Sequence, residues 1–207
     1  MIPSSKSLNF DVDPKLDFIV PDIPGLNLIP DYINTQEQNQ LLEIIDQQEW
    51  STQLKRRVQH YGYRYEYKKR TLASASYLGE LPNWANQLGQ RLVRDRVTPI
   101  SPDQLIVNEY LPGQGITNHV DCVPCFGNTI ISLSLGGRCV MNLTHAPTKT
   151  QIPVLLLPGS LLILQGVARY QWQHSIPARK TDQYQGKKLV RSRRVSLTFR
   201  EVLFPYK

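Results

Sequence analysis

The sequence predicts a mainly β domain with flanking helices, a sandwich or barrel with the helices packed on one side. Two stretches between residues 36 and 95 repeat their apolar residues at helical spacing. From about residue 100 onward the period shortens to two, and Gly-Gly, Pro-Gly and Asn/Thr turns punctuate it. Helices first and about eight short strands afterwards point to that layered class. A chain of 207 residues is long enough for one well-buried domain. Hydrophobic content of 41% and charged content of 20% are those of an ordinary globular protein.

Residues 1–24 hold four prolines, scattered charges and no sustained periodicity, so an extended tail is expected before a domain spanning 25–207. A short opening strand with turns is expected over 23–32. Thr35-Gln36-Glu37-Gln38 fits a capping box, and Leu41, Leu42, Ile44 and Ile45 share a face, which predicts a helix over 36–48. In the next segment Tyr61, Tyr63, Tyr65 and Tyr67 alternate with basic and polar residues, the pattern of a strand or hairpin with one aromatic face. That face either packs on the core or stacks on nucleobases beside cations. A second helix is predicted over 81–95, with Pro82 in its first turn and Trp84, Leu88 and Leu92 spaced by four. Strands are predicted near 105–110, 117–120, 129–135, 138–144, 152–157, 160–165, 168–174 and 194–203.

The formal charge is +7 and the pI about 9.4. Much of the charge is segregated into Lys55, Arg56, Arg57, Arg64, Lys68, Lys69 and Arg70, and into a second group from Arg179 to Arg194. Such clustering favours a polyanionic partner, nucleic acid, over charge spread for solubility. No apolar run approaches the ~20 residues that span a bilayer, and the N-terminus lacks a signal-peptide layout. The expectation is a cytoplasmic monomer with no membrane contact. Three cysteines suit a reducing compartment, and the spacing of Cys122-Val-Pro-Cys125 with Cys139 and His145 matches no common zinc module.

The chemistry concentrates in Asn108-Glu-Tyr110-Leu-Pro-Gly-Gln-Gly-Ile-Thr-Asn-His119-Val-Asp121. In an extended backbone His119 and Asp121 point to one side. An imidazole and a carboxylate, completed by a second imidazole, make the facial triad of non-haem Fe(II) oxygenases. His145 and His174 remain as candidates for the third ligand. His174, at the end of a β segment before Pro177, is the better placed. Alternation sets Arg194, Ser196, Thr198 and Arg200 on one face of the last strand, opposite Val195, Leu197 and Phe199. Interior arginines need carboxylates, and a dicarboxylate cosubstrate would satisfy them; solvated arginines on an edge strand are the plainer alternative.

Together, Asn108-x-Tyr110, Pro-Gly-Gln-Gly-Ile, His119-x-Asp121, Ser132-Leu-Ser-Leu, His174 and Arg194-x5-Arg200 resemble the AlkB family of Fe(II)- and 2-oxoglutarate-dependent dioxygenases, over about residues 25–205. Within it, Arg56-Arg-Val-x-His-Tyr-Gly-Tyr-x-Tyr and Ala168-Arg-Tyr-x-Trp-x-His174 are most similar to the oxygenase domain of the eukaryotic tRNA wobble-uridine hydroxylases. The sequence holds neither the RNA-recognition nor the methyltransferase domain of those proteins, nor their Cys-rich C-terminal end.

The resemblance implies a double-stranded β-helix (jelly roll) over about 100–205, with a nucleotide-recognition lid at about 50–80. It implies Fe(II) on His119, Asp121 and His174, and 2-oxoglutarate on Asn108, Tyr110 and Arg194, with Ser196 and Arg200 beside it. O₂ would be the oxidant, and Arg56, Arg57, Tyr61, Tyr63 and Tyr65 would hold a nucleic acid bearing an alkylated base, single-stranded DNA or RNA and possibly tRNA. The basic loop from Arg179 to Arg193 is expected to close over that substrate. Competing readings are an oxygenase of proteins or small molecules, a silent RNA-binding module, and a zinc-dependent jelly-roll enzyme.

Overall fold

The computed structural model describes residues 18–65 and 76–203. In chain order the elements are β1 (Leu26–Ile29), α1 (Thr35–Asp46), β2 (Val58–Tyr61), α2 (Asn83–Arg94), β3 (Gln104–Tyr110), β4 (Ile116–His119), β5 (Phe126–Gly136) and β6 (Cys139–His145). They continue with β7 (Gln151–Leu156), β8 (Leu161–Leu164), α3 (Gly166–Tyr170), β9 (Trp172–Ile176), β10 (Thr181–Tyr184), β11 (Lys187–Val190) and β12 (Arg194–Val202).

Antiparallel pairing gives a six-stranded sheet in the order β1-β8-β5-β12-β3-β2 and a four-stranded sheet β4-β9-β6-β7. From β3 to β9 the chain crosses back and forth between the two sheets, with β6 and β7 a hairpin within the smaller one, as in a double-stranded β-helix. Alternation on each strand feeds three apolar layers. Tyr110, Ile130, Met141, Leu143, Val154, Leu156, Leu162 and Ile176 fill the space between the sheets. Leu105, Val107, Leu133, Val195, Leu197 and Phe199 face the other way and pack under the helices, against Leu41 and Ile45 of α1 and Ala85 and Leu92 of α2. Because β12 is central in its sheet, Arg194, Ser196, Thr198 and Arg200 point into the barrel rather than to solvent.

The capping box of α1 is made by Asn34, not Thr35. Asn34 accepts from the Glu37 backbone N–H at 2.9 Å while the Glu37 carboxylate accepts from the Asn34 N–H at 2.9 Å. Pro82 precedes α2 as its N-cap. The strand expected over 168–174 begins only at Trp172. Gly166, at φ +47°, turns the chain after β8, and the Gln171 N–H donates to Val167, closing a helical turn where apolar periodicity had suggested extension.

Residues 179–193 are not a loose closing loop. They form the β10–β11 hairpin, whose Tyr184 and Leu189 pack on Val140 and Leu155 on the outer face of the small sheet. Buried Asp182 fixes it there, accepting from the Val140 N–H at 3.0 Å, from Arg191 Nε at 2.7 Å and from Arg179 Nε at 2.7 Å. The cysteines also depart from expectation: Cys122 and Cys125 are disulfide-bonded, and Cys139 is free and buried. The turn in which the Cys125 and Phe126 N–H groups both donate to Cys122 O brings the two Cα atoms to 5.2 Å, within bridging distance. The lid segment is only partly described: Val58–Tyr61 is a strand and Tyr63 bridges to Tyr77, whereas Tyr67, Lys68, Lys69 and Arg70, like residues 1–17 of the tail, lie outside the described residues. Among the described residues no helix is long and apolar enough to cross a membrane.

On the helix side of β3, Glu109 is buried and accepts two hydrogen bonds from Arg57 at 2.7 Å and one from Arg193 Nε at 2.6 Å. Arg193 continues to Asp46 at the end of α1. Burial raises the Glu109 carboxyl, but these two guanidinium groups outweigh it and hold it below its ordinary 4.5. A folded-state value below the unfolded one adds stability above pH 4.5 that disappears as the pH falls. Glu109→Gln is therefore expected to lower unfolding free energy at pH 7 by about 2 kcal/mol, since both arginines are partly solvated. The gap from wild type should narrow at pH 4, as read by urea denaturation.

Candidate active site

The pairing of β4 with β9 sets His119 opposite His174, with ring centroids 4.3 Å apart. His119 Nδ1–H donates to Thr117 O at 2.8 Å, so Nε2 is the ring nitrogen left to face a cation. His174 is half-buried, its side chain 13% exposed, and this desolvation, followed by neighbouring His119, pushes its pKa down to about 3. It is therefore a neutral imidazole near pH 7, so its 3.8 Å approach to Asp121 Oδ2 is not an ion pair.

Asp121 stands just past the end of β4. Its Oδ1 accepts from Arg200 Nη2 at 2.7 Å, whereas Oδ2 is buried with no hydrogen-bond partner. Burial pushes this carboxyl up, but Arg200, His174, His119 and Arg169 outweigh it and hold it far below the usual carboxylate range. The carboxylate is thus ionised. The backbone that presents it is held by Arg169 of α3, which is 2% exposed and donates to the carbonyls of Asp121 at 3.0 Å and Cys122 at 3.3 Å.

A buried anionic oxygen without a hydrogen bond, beside two imidazoles with lone pairs available, fits a divalent cation of the Fe(II) type. Among the described residues no group of three or more His, Cys, Asp or Glu is closed to a geometry that could hold a metal ion. His119, Asp121 and His174 converge on one place without that closure.

Deeper in the barrel is a narrow cavity of about 50 Å³, lined by Asn108, Tyr110, Ser132, Arg194, Ser196 and Arg200 together with all three of those side chains. Arg194 is 2% exposed. It donates to Ser134 Oγ at 2.9 Å and lies 5.6 Å from the Tyr110 ring centroid, its Nε has no partner, and among the described residues no carboxylate pairs with it. Arg200 is occupied by Asp121. The arginine face thus divides: one guanidinium orients the Asp121 carboxylate, and the other suits the distal carboxylate of a dicarboxylate such as 2-oxoglutarate. The residues fit that cosubstrate.

Outside lies a cavity of about 490 Å³ lined by Arg56, Tyr65, Ile106, Asn108, Asn118, His119, Asp121, Cys122, Phe126, Gln173 and Arg200, among others. Arg56 Nε donates to Asn108 Oδ1 at 2.9 Å, so the proposed substrate wall and cosubstrate wall are joined. Tyr65 packs 5.8 Å from Phe126. The structure does not bring Arg57 or Tyr61 to this cavity. Arg57 is bound to Glu109 on the helix side, and Tyr61 donates to Gln59 and meets Trp84 of α2 edge-on at 5.7 Å. Tyr63 pairs with Tyr77 at 5.0 Å, outside the cavity lining. His145 lies at the far end of β6, bonded to Thr148 and 5.0 Å from Trp172. Sequence reasoning gave no role to Arg169, Asn118 or Gln173. The first sits in the Ala168-Arg-Tyr stretch that carried part of the resemblance, and the other two are neighbours of the histidines.

Residues 36–200 match the model of the 2OG-Fe(II) oxygenase superfamily. The chain is 36% identical to an Arabidopsis thaliana protein named alkylated DNA repair protein ALKBH8 homolog, a match covering 97% of this chain and 65% of that protein. It is 40% identical to the Xenopus tropicalis tRNA (carboxymethyluridine(34)-5-O)-methyltransferase alkbh8, over 77% of this chain and 26% of that one. It therefore spans about two thirds of the plant relative and a quarter of the amphibian one. Among solved structures, OsALKBH1 superposes with a TM-score of 0.68 at 17% identity, covering 89% of this chain and all of the other, a likeness of fold.

Proposed function

The chain belongs to the 2OG-Fe(II) oxygenase superfamily, and from that premise we propose that it hydroxylates an alkyl substituent on a base of single-stranded nucleic acid, with tRNA as the favoured substrate. When bound, Fe(II) and 2-oxoglutarate supply a two-electron oxidation of a C–H bond by O₂, with succinate and CO₂ as coproducts. His119, Asp121 and His174 would hold the iron, and Arg194, Tyr110 and Asn108 the cosubstrate. Arg200 keeps Asp121 ionised and oriented, and Arg169 holds the turn that presents it.

The observation that carries the substrate class is the outer cavity. It is of ligand size, sits over the metal side chains, and combines the aromatic rings of Tyr65 and Phe126 with the guanidinium of Arg56. It shares Arg56, Ile116, Thr117 and Asn118 with a second hollow of about 530 Å³ along Lys55, Arg56, Gly113–Asn118 and Ser175–Ala178, where a flanking phosphate would meet Lys55. A flipped or unpaired base entering the first hollow leaves its backbone in the second. Of the segment over 50–80, Arg56 and Tyr65 line the outer cavity, and in this reading they are its lid. The names of the relatives, alkylated-DNA repair and tRNA modification, agree with a nucleic-acid substrate.

Nucleoside mass spectrometry after incubation with Fe(II), ascorbate and 2-oxoglutarate tests this, offering total tRNA and methyl-adducted single-stranded DNA in parallel. The expected result is a hydroxylated uridine that appears only in tRNA and is lost in His119→Ala. Adduct loss with formaldehyde release would shift the reading to repair. Succinate formed with neither nucleic acid changed would overturn it in favour of a protein or small-molecule substrate.

A further inference from the structure

The Cys122–Cys125 bridge has no part in the proposed oxygenation, yet it lies against its site. Cys122 directly follows Asp121 in the chain, is half-buried, and lines the 490 Å³ outer cavity. Cys125 is 2% exposed and belongs to the core between the sheets, where its carbonyl accepts from the Leu203 N–H at 2.9 Å. One end of the bridge therefore borders the cavity and the other is closed off. A thiol that opens a disulfide does so at the sulfur it can reach. The bridge is also not what holds the metal side chains. Asp121 is fixed by Arg200 at its carboxylate and by Arg169 at its carbonyl, and the turn is closed by the Cys125 and Phe126 N–H groups on Cys122 O. None of these bonds uses a sulfur.

We propose that Cys122 and Cys125 form a thiol-exchange site that gates the outer cavity: Cys122 carries the adduct of a low-molecular-weight thiol, and Cys125 clears it. The exchange stands by itself, and only its consequence for substrate rests on the nucleic-acid reading above. The small thiol attacks Cys122 Sγ, a new S–S bond forms there, and the bond to Cys125 breaks. Cys125 leaves with the electron pair of that bond and takes up the proton that the attacking thiol gave up. The return is the reverse: Cys125 attacks Cys122 Sγ, the bridge re-forms, and the small thiol departs with the proton. A second small thiol attacking the adduct instead leaves as the disulfide of the two, and the protein keeps two thiols, a two-electron reduction. That same small-molecule disulfide is the oxidant that restores the bridge from two thiols. While the adduct is present it occupies the space a base would enter. The narrow cavity at Arg194 lies deeper in the barrel and stays open.

Cys125→Ser traps the adduct by removing the thiol that clears it. The variant and the wild type, reduced and then freed of reductant, are incubated with glutathione disulfide and read by intact-protein and peptide mass spectrometry. Cys125→Ser is expected to carry one glutathionyl group, on Cys122, whereas the wild type ends bridged with none. Cys122→Ser should stay unmodified, because Cys125 and Cys139, 2% and 3% exposed, are out of reach. The trapped adduct should weaken binding of a fluorescent single-stranded RNA by at least about tenfold relative to the same variant untreated. The thermal stabilisation given by Mn(II) with 2-oxoglutarate should persist. No adduct on Cys125→Ser, an adduct on Cys125 or Cys139, or one that the wild type keeps as well as the variant does, would overturn the exchange site. An adduct that leaves RNA affinity unchanged, or that abolishes the thermal stabilisation, would overturn the gate. Untreated protein that binds no RNA would overturn the nucleic-acid reading and the gate with it, while the exchange site stands or falls on the position of the adduct.

Discussion

Arg194→Met is expected to unfold at a higher temperature than the wild type and to lose its response to 2-oxoglutarate. The two effects have one cause. Arg194 is 2% exposed and, among the described residues, has Ser134 Oγ and the Tyr110 ring as neighbours but no carboxylate. A buried guanidinium without an anion is a net cost to the fold, and methionine is an apolar replacement of similar length. Removing such a charge is worth about 1–3 kcal/mol of stability. The same charge is the group that would take the distal carboxylate, and deleting one partner of a buried charge pair costs about 2–5 kcal/mol of binding. The cosubstrate should therefore bind about 30- to 5,000-fold more weakly. Thermal unfolding with and without 2-oxoglutarate reads both signs: wild type stabilised by the ligand, Arg194→Met higher at the start and flat. A variant that is less stable and still shifts with 2-oxoglutarate would move the carboxylate site away from Arg194.

The sequence was most legible where local periodicity alone decides direction. Alternation in Arg194–Val202 separated the arginines from Val195, Leu197 and Phe199, and the sheet turned that separation into barrel interior and helix-facing core. The same period misled in the tyrosine segment. It set Tyr61, Tyr63 and Tyr65 on one face, yet the strand ends at Tyr61, and Gly62 at φ +75° redirects the backbone toward Tyr63. A Cβ there would come within 1.9 Å of Asp103 O, so the turn depends on glycine; Tyr61 packs on the helix-side core, whereas Tyr63 and Tyr65 pack on the core between the sheets. Arg56 and Arg57 look equivalent in sequence. They diverge because adjacent strand residues of β3, Asn108 and Glu109, face opposite sides and each captures one of them. Arg169 was not legible, because its hold on the Asp121 turn depends on a short helix that leaves no periodic trace.

Asp121→Asn is expected to retain the fold, lose the metal and reduce turnover by at least about a thousandfold, which corresponds to about 4 kcal/mol of lost stabilisation. The carboxylate has two tasks, one per oxygen. Oδ1 neutralises Arg200, which is itself buried, donates to Gln104 at 3.2 Å and lies 4.8 Å from the Phe126 ring centroid. Oδ2, buried and free of hydrogen bonds, is the anionic atom beside His174. An amide keeps a neutral acceptor for Arg200 but sets either an N–H donor or an uncharged oxygen where the cation would sit. Arg200 then becomes a charge with only polar partners, a loss of about 2–3 kcal/mol in stability. Arg200→Met alone should weaken turnover less, because Oδ2 remains ionised and in place. The combination Asp121→Asn/Arg200→Met should recover most of the stability without recovering metal or activity, a coupling of at least about 1.5 kcal/mol between residues in contact. Bound metal measured by atomic spectroscopy and stability measured by denaturation separate the two tasks. If the double variant is as unstable as the sum of the single ones, Arg200 is not held in the barrel by Asp121, and the division of labour between the two arginines is wrong.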